Sequence, residues 1–196
     1  MSLLDWIHPD PSLAVRGDGV LLRLPRNSDY RQWSDLRHHS RDFLQPWEPS
    51  WPEDDLTRAA YRRRLAVYTR EIELGGAYPF FIFRPDDEAL VGGVTLSNIR
   101  RGVAETATLG YWIGQPFVRR GYATAAVRAV CRFGFGRLGL HRIEAACLPS
   151  NDGSRGVLEN CGFEHEGLAR AYLKINGTWR DHLLFGLIRS EAPEEV

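Results

Sequence analysis

The segment Val118-Arg-Arg-Gly-Tyr-Ala-Thr124 constrains the fold more than any other part of the chain. It joins an alternating run, TLGYWIG (Thr108 to Gly114), to a long amphipathic helical pattern that begins near Gly121. A turn of small residues between strand and helix leaves several backbone N–H groups pointing one way, with the positive end of the helix dipole behind them. Such a turn is an anion site suited to a pyrophosphate. Arg119 and Arg120 add positive charge at its mouth, and glycine at 121 allows dihedrals and a close approach that a Cβ would prevent. The same residues also fit an ordinary strand-to-helix turn with two solvated arginines. They lack the Gly-Lys-Ser/Thr of a P-loop and the Gly-x-Gly-x-x-Gly of a dinucleotide fold. A second element about thirty residues on, LPSNDGSRGVLENCGFEHEG (Leu148 to Gly167), adds weight to a ligand site, although Asn, Asp and Ser gathered at its helix start also read as helix capping.

The rest of the chain reads as mixed α and β without repeats. VLLRL (20–24) has the pattern of a first strand, and Asn27 and Ser28 can cap a helix running to about Phe43. A Pro/Trp-rich loop follows. Thr57 then caps a helix ending at Gly75-Gly76, in which Tyr61, Leu65, Tyr68 and Ile72 recur at helical spacing. YPFFIF (78–83) and ALVGGVTLSNI (89–99) flank a Pro-Asp-Asp turn and read as a hairpin. In the strand 106–113, Ala107, Leu109, Tyr111 and Ile113 share one face. Val127, Val130, Cys131, Phe135 and Leu138 stripe the next helix. RIEAACL is a strand, Ser154 to Asn160 a short helix stopped by Gly162, and Asn176-Gly177 a hairpin turn. Residues 1–17 read as an N-terminal extension, and the acidic tail after Ser190 is expected to be loose.

At 196 residues the chain can bury the core of a single domain. Lys and Arg number 25, as do Asp and Glu, so no global field draws nucleic acid or acidic lipid. Arg62 to Arg64 fit the solvated face of a helix. No apolar run reaches the ~18 residues of a membrane span, and Asp5, His8 and Pro9 interrupt any signal-peptide pattern. Cysteines at 131, 147 and 161 form no C-x-x-C pair and fit reduced thiols in the cytoplasm. His38 and His39 lack the spacing of a helical metal pair, so no metal is expected.

LGYWIG (109–114), RRGYAT (119–124), LHRIEA (140–145), Asn151-x-x-Ser154 and the ENCGFEHEG run closing at Gly167 together resemble the GNAT superfamily of N-acetyltransferases. Within it, LQPWEPSWP (44–52) and ARAYLKINGTWRDHLLFGL (169–187) look like the RimJ/RimL branch, which acetylates protein N-termini. The resemblance runs from about Val20 to about Ile188. It departs from the family at Val118, where the coenzyme loop usually has Gln or Arg. The resemblance implies a mixed α/β sheet splayed at the acetyl-CoA site, with helices on both faces. The backbone of Trp112 and Ile113 would meet the pantetheine arm, Asn151 would meet it from the other side, and Val118, Arg119, Arg120, Gly121, Tyr122, Ala123 and Thr124 would hold the pyrophosphate.

The implied chemistry is direct attack of a neutral amine on the thioester, with no cysteine nucleophile. An α-amino group is roughly 10–20% neutral at pH 7, whereas a lysine amine is neutral to about 0.04%, a difference of about 3.5 kcal/mol. An N-terminal acceptor therefore manages with a weak base. Glu105, at the start of the strand leading to the thioester, and Glu48, in the Trp-rich loop, are candidates; each reads more simply as an exposed charge. By resemblance the Ser154 hydroxyl would donate to the departing thiolate, the competing role being helix capping, and Tyr122 and Tyr172 are further phenolic donors. Trp47, Trp51 and Tyr172 are candidate walls of an acceptor slot. Three readings follow: an acetyltransferase for N-terminal alanine or a similar residue on a ribosomal protein, a small-molecule amine acetyltransferase, and a non-catalytic coenzyme A-binding or ribosome-assembly module. The protein is expected to be a monomer or homodimer.

Overall fold

The computed structural model describes residues 13–189. Its first element is a hairpin in which β1 (Ala14–Gly17) pairs with β2 (Val20–Arg23) through Asp18-Gly19. Asp-Gly suits the left-handed dihedrals of a two-residue hairpin turn, and Gly19 has φ +65°. The expected N-terminal extension is therefore a strand from Ala14 onward; its first twelve residues and the acidic tail lie outside the described residues.

The helix expected from Asn27 is α1 (Tyr30–His39), preceded by a 3-10 turn and followed after Ser40 by the short α2 (Arg41–Leu44). Asn27 and Ser28 do not cap it. The buried Asp29 carboxylate accepts the Arg26 backbone N–H at 2.7 Å and both terminal nitrogens of Arg23 at 2.7–2.8 Å, tying the helix start to β2. The interruption at Ser40 also has a cause, because its fully buried hydroxyl accepts the Gln115 N–H at 2.9 Å. Thr57 caps α3 (Arg58–Glu73) as expected, accepting from Ala60 N–H at 3.2 Å.

β3 (Tyr78–Arg84), β4 (Ala89–Arg100), β5 (Thr106–Ile113), β6 (Arg142–Cys147), β7 (Glu164–Ile175) and β8 (Thr178–Ile188) complete one eight-stranded sheet, ordered β1-β2-β3-β4-β5-β6-β8-β7. Every neighbouring pair is antiparallel except β5 and β6. Parallel strands need a crossover, and α4 (Tyr122–Gly136) supplies it, with α5 (Asp152–Asn160) following β6. α4 packs on the face carrying Phe80, Ile82, Val94, Leu96 and Ile143, beneath the first hairpin. This second cover explains why α4 is buried on more than one stripe, with Ala126 and Ala129 as deep as Val127 and Val130 and Phe133 also buried. On the other face, Trp33 and Leu36 of α1 and Tyr61 of α3 pack on Phe81, Phe83 and Leu90.

The β5–β6 register runs from Thr106↔Arg142 to Leu109↔Ala145 and stops there, although β5 continues to Ile113 and β6 to Cys147. The sheet is thus splayed at its centre, as expected. Backbone groups of Gly110 to Ile113 face the gap instead of a partner strand, and unpaired groups of this kind must find a ligand or water.

Candidate active site

A cavity of about 980 Å³ occupies the splay and continues to the loop after α2 and to the β7–β8 hairpin. At one end stands the turn before α4. Gly121 adopts φ +82° at the helix N-cap, and Arg119, without a glycine's freedom, also has φ +60°. The first bond of the helical ladder there is donated by Ala125 to the Gly121 carbonyl at 3.0 Å. The N–H groups of Tyr122, Ala123 and Thr124 precede it and are left for an anion. A Cβ built on Gly121 meets no protein atom within 4 Å, so the space beyond it is open to a ligand. Val118, Arg119, Gly121, Tyr122, Ala123 and Thr124 line the cavity; Arg120 is exposed and does not. The donor set fits a pyrophosphate, with Arg119 supplying mobile charge.

Trp112 and Ile113 reach the cavity from the end of β5. Trp112 can lie flat on β4 because its partner there is Gly93, where a Cβ would come within 2.5 Å of the indole nitrogen. Across the gap, Asn151 caps α5: its side-chain oxygen accepts the Ser154 N–H at 3.0 Å, leaving its NH2 donors for the cavity. The capping role considered for Ser154 therefore belongs to Asn151. The Ser154 Oγ instead lies 2.8 Å from the Tyr111 hydroxyl, which also donates to the Ser154 carbonyl at 3.1 Å. Burial pushes the Tyr111 phenol well above its usual range, although the Ser154 bond opposes that shift. Both hydroxyls thus stay protonated at the gap. Burial likewise raises the Cys147 thiol and lifts Cys161 to about 11, which suits neither as a thiolate nucleophile.

Arg37 of α1 organises the acceptor end. Its Nη1 and Nη2 bond the two Glu48 carboxylate oxygens at 2.8 and 2.7 Å, while Trp51 and Trp112 flank the guanidinium at 4.0 and 5.0 Å. Trp51 Nε1 donates to the same carboxylate at 2.8 Å. Glu48 lines the cavity with its charge already matched, and Trp51 is a buttress behind it that does not line the cavity. Trp47 and Tyr172 do line it. Glu105 is exposed at the far end of β5, its carbonyl accepting the His141 and Arg142 N–H groups, and lies outside the cavity. The two glutamates singled out as bases are therefore not brought together, and neither is poised as a free carboxylate at the gap.

The floor of this end carries a linked group of charges. Arg142 Nε bonds Glu144 at 3.0 Å, its terminal nitrogens bond both Glu166 oxygens, one at 2.7 Å, and Arg100 reaches Glu144 at 3.3 Å. Arg142, Glu144 and Glu166 lie in segments that carry the family resemblance, but the sequence singled out none of them for a role, since contacts between separate strands leave no local signature. Tyr111 could have been found: a tyrosine on the core face of a strand needs a partner for its hydroxyl. Among the described residues no group of three or more His, Cys, Asp or Glu could hold a metal, and no helix is long and apolar enough to cross a membrane.

Residues 20–164 match the family described as the acetyltransferase (GNAT) domain. Over 177 residues the chain is 36% identical to the probable N-acetyltransferase YjcK of Bacillus subtilis, an alignment spanning 90% of this chain and 98% of that one. It is 34% identical over 177 residues to the ribosomal protein uS5-alanine N-acetyltransferase of Escherichia coli, covering 90% and 91% respectively. The solved structure of Mycobacterium smegmatis RimJ in complex with CoA-disulfide superposes with a TM-score of 0.86 at 34% identity, over 93% of this chain and 89% of that one.

Proposed function

The chain belongs to the GNAT acetyltransferase family and is an acetyl-CoA-dependent N-acetyltransferase, and from that premise we propose that its acceptor is the N-terminal α-amine of a protein beginning with alanine or a similarly small residue, a ribosomal protein among them. The observation that carries this reading is a bridge over the acceptor half of the cavity. The Asn176 N–H, at the tip of the β7–β8 hairpin, donates to the Glu48 carbonyl at 2.9 Å. Trp47 and Glu48 on one side of the bridge, and Tyr172 and Ile175 on the other, all line the cavity. An extended chain end can pass beneath such a bridge, whereas a lysine on a folded surface would carry its neighbours into the walls. The relative acting on uS5 alanine in Escherichia coli supports the same acceptor class.

Acetyl-CoA brings the acyl thioester. The chain's own residues orient it through the Tyr122 to Thr124 N–H groups and the unpaired edge of β5. The Ser154 Oγ and Tyr111 hydroxyl, 2.8 Å apart, are placed to pass a proton to the departing sulfur. With no acyl-enzyme, the amine attacks directly. The three buried thiols suit the reducing cytoplasm.

The test is release of free thiol from acetyl-CoA with a panel of acceptors. Peptides beginning with Ala, Ser or Met are compared with N-terminally blocked peptides carrying lysine, and with small amines. Turnover confined to free α-amines is the expected result; turnover only with small amines would move the function to metabolism or detoxification.

A further inference from the structure

Each carboxylate lining the cavity is held by an arginine. Glu48 takes two bonds from Arg37, and Glu144 and Glu166 share Arg142. A guanidinium at hydrogen-bond distance stabilises the charged carboxylate and so weakens it as a proton acceptor. At Glu166 the Arg142 hydrogen bond draws the carboxyl below the usual glutamate range. Arginine and lysine side chains hold their protons at neutral pH and so offer no lone pair, whereas imidazole is the side chain whose ordinary titration falls there. His182 is the histidine on the cavity wall, and it is only 3% exposed.

Its ring is fixed in one sense. Nδ1 lies 3.0 Å from the Arg180 carbonyl, which can only accept, so Nδ1 is the nitrogen that donates there and Nε2 is the one left to exchange a proton with a ligand. Among the described residues no protein hydrogen bond to Nε2 is present. The Tyr172 ring meets the imidazole edge-on, with centroids 5.8 Å apart. That contact rests on a β-bulge: the register skips between Ala169↔His182 and Leu173↔Arg180, Ala171 has φ +45°, and its N–H is held by Asp181 Oδ1 at 2.7 Å. His182 follows Leu183 and Leu184 outward along β8, and those two pair with Cys147 and Ala146 beside the β5–β6 gap. Arg180 and Asp181 flank it on its own strand and Arg170 follows its β7 partner Ala169, while Tyr172, Lys174, Cys147, Glu48, Tyr111, Arg142, Glu144 and Glu166 are among the groups that line the same cavity.

We propose that His182 Nε2 is the general base that takes the proton from the acceptor ammonium. This rests on the reading that an amine is acetylated in this cavity. An N–H bond of the ammonium breaks and an Nε2–H bond forms; the freed lone pair makes the C–N bond to the thioester carbon. As the C–S bond breaks, the sulfur takes a proton through the Ser154–Tyr111 pair, which is resupplied by the second proton of the amine. The imidazolium returns its proton to solvent, so amide, thiol and one proton are produced.

Two variants separate base from prop. His182→Asn keeps a donor where Nδ1 meets the Arg180 carbonyl, and His182→Gln keeps the reach of Nε2; neither supplies a basic lone pair. Both are expected to lower kcat/KM at least tenfold at pH 7 and leave the Kd for acetyl-CoA within twofold. The deficit should shrink toward twofold by about pH 9, where a free α-amine is already neutral. A deficit below twofold at pH 7, an equal deficit at both pH values, recovery in His182→Asn, or a parallel loss of acetyl-CoA affinity overturns the proposal. The comparison is made on whichever amine the wild-type protein turns over. A wild type that acetylates small amines and ignores peptides would refute the N-terminal reading; the upper pH of the comparison is then set about one unit above that amine's own pKa, where the same shrinkage is expected.

Discussion

Replacing Arg37 by methionine should destabilise the protein by about 3 kcal/mol. Arg37 is a buried cation whose two terminal nitrogens bond Glu48 at 2.8 and 2.7 Å and whose Cζ lies 4.0 Å from the Trp51 ring centroid. Removing one partner of a fully buried pair costs about 3–5 kcal/mol, because the other charge is stranded. Here the Glu48 side chain keeps 20% exposure, which places the ion-pair loss at the low end of that range. Loss of the stacked cation adds about 0.5–1 kcal/mol, and methionine returns a similar amount by filling the space without the unsatisfied Arg37 Nε. For a chain of this length about 3 kcal/mol corresponds to a melting point lower by about 6–12 °C. The assay is thermal unfolding of wild type, Arg37→Met, Glu48→Gln and the double variant. Because the double variant strands no charge, it should be more stable than Arg37→Met alone by at least about 1 kcal/mol. Arg37→Met should also raise the KM for the acceptor more than the Kd for acetyl-CoA, since Glu48 carries the bridge to Asn176. A melting point within about 2 °C of wild type, or strict additivity in the cycle, would refute the account of this pair.

Ser154→Ala should lower kcat at least tenfold with little change in acetyl-CoA affinity or melting point, because Tyr111 retains the Ser154 carbonyl as its partner; a kcat within twofold of wild type sinks the proton-transfer role. Gly121→Val meets no protein atom but must hold φ +82°, at a cost of about 1–2 kcal/mol, and fills the space reserved for the anion, so the Kd for acetyl-CoA measured by calorimetry should rise at least tenfold. Unchanged affinity would count against the loop. In acid, the Arg84 hydrogen bonds hold the Asp87 carboxyl at about 2, and Arg142 holds Glu166 below its usual range. Both folded values lie under the ordinary 3.8 and 4.5, so this contribution is present above those values and is lost as pH falls through the folded ones. Arg84→Met should therefore flatten the dependence of melting temperature on pH between about pH 4 and pH 2; an unaltered slope would remove the pair from the account.

The coenzyme half was legible in the chain because its signals are local. A strand period, a glycine that must take a positive φ, and a helix start with its free N–H groups all fall within Thr108 to Thr124, and Asn151 and Ser154 fall at the next helix start. Even there, Asp18-Gly19 is a local hairpin signal, and the strand it turns begins at Ala14, within the span expected to be an extension. The acceptor half is less legible in the chain, for a different reason. Glu48 and Glu105 differ little as letters in a sequence. The Arg37 fork and the Trp51 indole neutralise one, and strand direction carries the other to the far end of β5. Trp51, in the same loop as Trp47, turns to the guanidinium while Trp47 faces the cavity.

By itself, then, the amino-acid order determined the family, the sheet-and-helix grammar and the anion-binding turn, since each depends on backbone dihedrals and periodicities set by near neighbours. Tertiary structure decided which side chains remain free to do chemistry. Whether a carboxylate is a base depends on what lies within 3 Å of it, and the partners come from distant parts of the chain. Arg37 meets Glu48 from another helix, and Tyr111 meets Ser154 across the splay. The paired carboxylates leave a histidine with one nitrogen tied to its own strand and the other untethered.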